Sequence, residues 1–197
     1  MPFSLTPTTL AGTHATLVPL LPDHLEALTS AARDGELWRL WYTSVPSPDA
    51  MAHEIDRRLA LLSAGAMLPF TVLDAAGVPV GMTTFMNVDS VNQRVEIGST
   101  WYAARVQRTA LNTECKLLLL THAFDALQCI AVELRTHVLN TQSRRAIERI
   151  GARFDGILRN HMRMPNGTLR DTVVYSIIES EWPTIRAHLH WQLERER

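Results

Sequence analysis

A single-domain α/β fold, with a mixed but mostly antiparallel sheet and flanking helices, is what the sequence predicts, on three observations. A strand-like run, VEIGSTWYA, a helix-like run, TECKLLLLTHAF, and a β-rich run, IAVELRTHV, follow one another within about forty residues. That order makes a βαβ unit, whose two strands lie parallel with a right-handed crossover. Two other pairs of strand-like segments are joined by the turn formers AAGVP and MPNG and read as antiparallel hairpins. Apolar residues also recur at helical spacing behind good capping residues. The 197 residues suit one domain over 1–197 and can bury a substantial core, and no repeat, low-complexity tract or linker divides them.

Taken in order, THATLVPL (Thr13 to Leu20) predicts a first strand. Leu25, Leu28 and Ala32 then mark a helix behind Pro22 and Asp23. Trp38, Trp41 and Tyr42 sit three and four apart, which reads first as a short helix docked on the core and second as a wall of a substrate cleft. Ser47 and Pro48 open a helix with Met51, Ile55, Leu59 and Leu62 on one stripe and His53, Glu54, Arg57 and Arg58 opposite, ending near Gly65. LPFTVLD and VPVGMTTFMNVD make a hairpin, QRVEIGSTWY is the fourth strand and Ile130 to Val138 the fifth. A short helix, NTQSRRAIERIGA, leads to the last two strands around Phe154–Met164 and Thr168–Ile178. Trp182, Ile185, Leu189 and Leu193 mark a terminal amphipathic helix capped by Ser180.

Composition excludes several classes. With 46% hydrophobic and 20% charged residues and a net charge of −1, there is no basic stripe for a nucleic-acid partner, so any phosphate binding is local. Cys115 and Cys129 lack a CxxC or a paired histidine, and read as buried thiols of a reduced compartment, with no metal site. No basic-then-apolar leader opens the chain and no apolar run is of membrane-spanning length, so the expectation is a soluble cytoplasmic protein without a membrane partner. A homodimer, through a sheet edge or the terminal helix, is one assembly compatible with this chain.

Ligands of such sheets favour the carboxyl ends of parallel strands, which here are Trp101 to Asn112 and Val138 to Ser143. Neither is a Walker motif or a GxGxxG, so nucleotide hydrolysis and hydride transfer have no support, while a phosphate-bearing cofactor still fits. The loop Gln107-Arg108-Thr109-Ala110-Leu111-Asn112 has the position of a phosphate cradle but no glycine. Backbone N–H groups at a helix start can still serve, provided that Ala110 has a negative φ; Asn112 suits an N-cap and Arg108 a charge-assisted bond.

VEIGSTWY, the loop after it, VLNTQSRRAIERIGARFDGILR and the closing EWP together resemble the GNAT acyl-CoA N-acyltransferases, in particular the ribosomal-protein N-terminal acetyltransferase branch. The resemblance runs from about Leu10 to Trp182. It implies that the fourth and fifth strands splay apart to admit the pantetheine arm of acetyl-CoA, and that the protein transfers acetyl to a primary amine by direct attack on the thioester. The acceptor would be a protein or peptide N-terminus, an amino acid or a small amine. In that family the pyrophosphate loop has a glycine where this chain has Ala110. By the same resemblance the cofactor contacts fall on Thr100, Trp101, Tyr102, Gln107, Arg108, Thr109, Ala110, Leu111, Asn112, Thr113, Asn140 and Ser143. Asn140 would bond the pantetheine backbone, and Ser143 would assist the departing sulfur. Its thiol resembles cysteine, with a pKa of about 8.5, so a hydrogen bond suffices.

The general base is Glu96 by position, although a salt-bridged structural glutamate is an equal reading; His137, His161 and Asp171 are alternatives. Trp38, Trp41, Phe85 and Arg163 are candidate wall residues. The competing function is a non-catalytic acyl-CoA-binding module whose loop has degenerated.

Overall fold

The computed structural model describes residues 5–195; the first four and last two residues of the expected domain lie outside that range. Its eight strands are β1 (Leu10–Ala11), β2 (Ala15–Pro19), β3 (Met67–Asp74), β4 (Pro79–Asp89), β5 (Arg94–Tyr102), β6 (Ala131–His137), β7 (Arg153–Arg163) and β8 (Leu169–Ile178). They form one sheet in the order β1-β2-β3-β4-β5-β6-β8-β7. Every pairing is antiparallel except β5 with β6, where Arg94, Val95 and Glu96 lie beside Ala131, Val132 and Glu133. The predicted βαβ unit is thus present, with α3 (Leu111–Thr121) as its crossover.

Strand alternation divides the side chains between two helical layers. Thr71, Met82, Thr84 and Glu96 lie on the face covered by α1 (Leu25–Arg33) and α2 (Met51–Ser63), where the His24 ring bonds Thr71 Oγ1 at 2.8 Å. Phe70, Phe85, Ile97 and Thr100 lie on the other, where Phe85 meets His122 at the end of α3. On that second face α3 packs with α4 (Thr141–Arg149) and α5 (Trp182–Glu194), and Arg149 Nη1 donates to both Thr113 Oγ1 (3.0 Å) and Gln192 Oε1 (2.5 Å).

Four expectations are corrected. The Trp38 segment is a single 3-10 turn (Leu37–Arg39), because Gly35 and Glu36 both take left-handed φ and deny it a helical start. Arg58, placed on the polar face of α2 by periodicity, is instead 1% exposed. Ser180 lies inside a 3-10 turn, so α5 begins at Trp182 without a side-chain cap. Asn112 stands within the first turn of α3, whose N-cap is Ala110. Ser47 does cap, accepting from the Ala50 N–H at the 3-10 turn that leads into α2.

α3 is anchored to the sheet's far edge by one carboxylate. Glu114 accepts from the backbone N–H groups of Thr13 (3.0 Å), His14 (2.5 Å) and Ala15 (2.7 Å), three donors that a two-residue β1 and the bend after it leave unpaired. Gly12 is small for this reason, since a Cβ there would stand 2.5 Å from the Glu114 carboxyl carbon. Glu114→Ala therefore strands three donors and should lower stability by about 2–3 kcal/mol, seen as a shift in urea midpoint. A midpoint within error of the parent would show that water satisfies those amides equally well.

Candidate active site

The β5–β6 ladder stops after Glu96 and Glu133, while β5 continues to Tyr102 and β6 to His137. From Ile97 onward the β5 edge that faces β6 therefore has no strand partner. A β-bulge lies in this stretch: Ser99 and Thr100 together oppose Thr83, between the pairs Gly98–Thr84 and Trp101–Met82, and Ser99 takes φ 47°. Bulges bend and twist a strand, which accounts for the departure of β5 from β6. The splay implied by the resemblance has this local cause.

Glu96 ends the ladder and its carboxylate turns back along β5 toward the bulge. A Cβ on Gly98 would lie 3.0 Å from Glu96 Oε1 and 2.7 Å from Met86 Sδ, so glycine is what lets the carboxylate settle there. Glu96 is 6% exposed, accepts from Asn87 Nδ2 at 2.7 Å and stands 3.4 Å from Arg135 Nε. Burial raises its pKa, and the Asn87 bond and the Arg135 charge only partly oppose that. Glu96 is therefore salt-bridged, as one reading of the sequence has it, and its carboxylate also lies beside the bulge.

The alternative bases fare differently. Asp171 is taken up by Arg159 Nε (2.6 Å) and the Asn160 N–H (2.7 Å), which hold it ionised. His161 bonds Thr172 Oγ1 at 3.1 Å on the β7–β8 hairpin. His137 is buried at the end of β6, accepts from the Leu139 N–H through Nδ1 and has its pKa lowered by burial. Its ring lies edge-on to Trp41, with centroids 5.3 Å apart, and beside Tyr42.

Trp41 is 47% exposed, so it walls the open end of β6 rather than filling the core. Phe85, by contrast, is fully buried between Phe70 and His122 and lines no cleft. Trp38 lies under the Arg39 guanidinium, and Arg163 Nη1 donates to the Gly167 carbonyl in the β7–β8 turn.

Sequence periodicity missed the residue that braces the bulge. Arg58 reaches from α2 to donate through Nη2 to the Ser99 carbonyl (3.2 Å) and through Nε to Glu54 Oε1 (2.7 Å). Glu54 also takes Arg57 Nε and Nη2, and Arg58 Nη1 is buried without a partner. Burial lowers the Arg58 pKa, with the Glu54 charge opposing. The signal available in the sequence was the i, i+4 relation of Glu54 and Arg58, which neutralises a guanidinium enough to bury it.

The residues assigned to cofactor binding are in three groups. Thr100 is part of the bulge and Trp101 and Tyr102 follow it; the two aromatic side chains are packed in the core, so their backbone is what borders the splay. In the loop, Gln107 Nε2 donates to the Tyr102 carbonyl (3.0 Å), and Thr109 Oγ1 donates to the Val106 carbonyl (2.7 Å). Ala110 has φ −66°, the condition under which no glycine is needed; the left-handed residue is Arg108, at φ 61°. Leu111 and Thr113 are buried; the Leu111 N–H donates to Thr109 Oγ1 (3.3 Å), and the Thr113 N–H belongs to the first helical turn, which has no intrahelical acceptor. Asn140 caps α4 by accepting from the Ser143 N–H at 3.0 Å, which brings both residues to the end of β6.

An unladdered strand edge of amides and carbonyls beside a helix start, where only the Leu111 N–H of the first turn is taken by a side chain, Thr109 Oγ1, among the described residues, fits a ligand that carries both amides and phosphates. Two open hollows elsewhere, around His122 and Asp125 and around Asp125 and Trp182, hold none of these residues.

The comparisons with known proteins bear on the family and the fold. Residues 14–153 match the family model described as an acetyltransferase (GNAT) domain. A Bacillus subtilis (strain 168) protein named as a ribosomal N-acetyltransferase, YdaF, is 35% identical over 102 residues, a stretch that spans 52% of this chain and 55% of that protein. The crystal structure of a GCN5-related N-acetyltransferase from Brucella melitensis superposes with a TM-score of 0.86 at 30% identity, covering 96% of this chain and 87% of that one. Mycobacterium smegmatis RimJ, in complex with CoA-disulfide, shares the fold with a TM-score of 0.78 at 22% identity, over 97% of this chain and 95% of that one.

Arg58→Ala should cost about 3 kcal/mol in urea denaturation, since it opens a buried space and leaves the bulge carbonyl unpaired. Arg57→Ala, whose side chain is largely in water, should cost under about 1 kcal/mol. Equal costs would remove the distinction drawn between the two arginines.

Proposed function

The chain belongs to the GNAT acetyltransferase family, and we propose that it transfers acetyl from acetyl-CoA to a primary amine, with the α-amino group of a protein or peptide as the acceptor to test first. The observation that carries this reading is Glu96: a buried carboxylate of raised pKa, laid over Gly98 beside the bulge of a splayed strand pair. A carboxylate there is a base of strengthened basicity at the place where an amine would meet a thioester lodged between β5 and β6. The peptide acceptor is favoured by the name that YdaF carries, and by the exposed Trp41 ring set edge-on to His137 at the end of β6.

Acetyl-CoA supplies the activated carbonyl; this chain's residues hold and orient it and manage the protons. Thr109, Ala110, Asn112 and Thr113 offer backbone donors to the pyrophosphate, with Arg108 as the charged member of the loop, and the free edge of β5 at Thr100, Trp101 and Tyr102 offers amide pairing to the pantetheine. Asn140 and Ser143 close the slot from the β6 side, the Ser143 hydroxyl serving as a weak donor to the departing sulfur. Glu96 takes the ammonium proton, directly or through water.

Glu96→Gln should lower kcat by about 10²-fold or more while acetyl-CoA affinity stays unchanged. In the parent, rate should fall as pH drops through a value above the ordinary glutamate range, because the base must be ionised and burial raises its pKa. A pH profile indifferent to this substitution would remove Glu96 from the proton path. Asn140→Ala should cost about 1 kcal/mol of stability as a lost N-cap and also weaken acetyl-CoA, whereas Ser143→Ala should mainly lower turnover. Thiol release from acetyl-CoA across a panel of peptides, amino acids and polyamines tests the whole reading. Calorimetric binding without release on any amine would favour the non-catalytic acyl-CoA-binding module.

A further inference from the structure

Lys116 is the one lysine among the chain's 19 lysine and arginine residues, and it is 7% exposed. It sits in the second turn of α3, about 7.5 Å along the helix axis from Leu111, where the helix dipole also disfavours a cation. Its Nζ donates to Thr100 Oγ1 at 3.2 Å, and that hydroxyl shares a 2.8 Å bond with Thr83 Oγ1 and donates to the Gly98 carbonyl at 3.3 Å. Among the described residues it has no carboxylate partner. A buried ammonium held by one neutral hydroxyl is costly, and nothing in the packing of α3 requires it.

The titratable groups around it supply no counter-charge. Cys115 on the same helix is pushed by burial up to about 12, and the Tyr102 phenol on β5 is raised well above the usual range, so both stay neutral at physiological pH. Glu114 is committed to the amides of Thr13, His14 and Ala15. β4 contributes only the Thr83 hydroxyl, and α4 and α5 bring Arg149 and Gln192 to Thr113, one turn away. Thr100, the hydroxyl that holds the ammonium, belongs to the bulge where β5 leaves β6, so Lys116 stands one hydroxyl away from the splay.

We propose that Lys116 is the internal counter-charge of a phosphate-bearing acyl thioester bound in the splay, acting from behind Thr100 on the side of the sheet opposite Glu96. The inference rests on the acetyl-CoA reading above. It explains why this one basic position is lysine: an interior guanidinium cannot shed its proton, whereas a buried amine can, so that its charge responds to a bound anion. Burial lowers the Lys116 pKa to about 8, near enough to neutrality for the ligand to set its charge. An anion about 10 Å away at an effective dielectric near 20 should raise that pKa by about one unit, equivalent to roughly tenfold in affinity. The sign follows from linkage: affinity is full below the free-state pKa and declines as pH rises through it, with proton uptake on binding in that window.

Because the chain has a single lysine, protein labelled with ¹³C-lysine gives one side-chain Cε resonance, and acetyl-CoA has no free thiol to titrate in the same range. The Cε midpoint should lie near 8 in the free protein and move up by about one unit when acetyl-CoA saturates it. Lys116→Met should weaken acetyl-CoA binding at pH 7 by roughly tenfold and abolish its alkaline decline, while the melting temperature of the free variant holds or rises. An unchanged Cε midpoint in protein that calorimetry shows to be saturated overturns the inference and leaves the acetyl-CoA reading standing. Absence of any calorimetric binding to the parent chain overturns that reading, and the inference with it. Should the methionine variant fail to fold, the resonance of the parent protein decides alone.

Discussion

The early end of the β5–β6 ladder is the constraint on which the rest of the site depends. Three residue pairs hold the two strands parallel, and then the bulge at Ser99 and Thr100 turns β5 away. A sheet that stopped pairing in mid-strand without a ligand or a brace would leave exposed backbone groups and a weak seam. Here the bulge is braced by Arg58 from the α2 side, whose guanidinium takes the Ser99 carbonyl. On the α3 side, Lys116 and Thr83 converge on the Thr100 hydroxyl. The free edge is therefore a held feature of the fold.

Three buried ionisable groups surround that bulge, and the low dielectric makes each matter more than a surface charge would. Arg58 is neutralised by Glu54, itself shared with Arg57. Glu96 is softened by Asn87 and Arg135 yet still has a raised pKa. Lys116 has only a hydroxyl. Arg58, tied to Glu54 and the Ser99 carbonyl, does a structural task, whereas Glu96 and Lys116 lie beside the bulge on opposite faces of the sheet. Perturbed groups gathered about one backbone irregularity are the pattern expected of a site, whereas the exposed ion pairs along β7 and α5 are surface features.

Much of this was legible in the chain's letters. The βαβ order, both hairpins and the terminal helix follow from local periodicity and turn chemistry, which depend on neighbours within a few residues. Glu96, Asn140 and Ser143 could be named because the motifs flanking them lie on the same short segments. The glycine-free loop resolves in terms available beforehand: Ala110 keeps φ negative, and the left-handed turn is carried by Arg108 instead. The misplaced caps at Asn112 and Ser180 are one- to three-residue boundary shifts, where a 3-10 turn or an earlier helical start competes on nearly equal terms.

By itself, then, the sequence determined the order of the elements and the stretch of chain that carries the site, because both are set by interactions among residues close along the backbone. Only the tertiary structure decided the electrostatics of that site. Arg58 and Ser99 are 41 residues apart and Lys116 and Thr100 are 16 apart, separations that no local periodicity spans. Whether a charged side chain faces water or the interior depends on what the sheet brings against it, and amphipathic spacing assigned Arg58 to the wrong side for that reason. Burial, and with it the pKa of each buried group, is a property of the assembled fold.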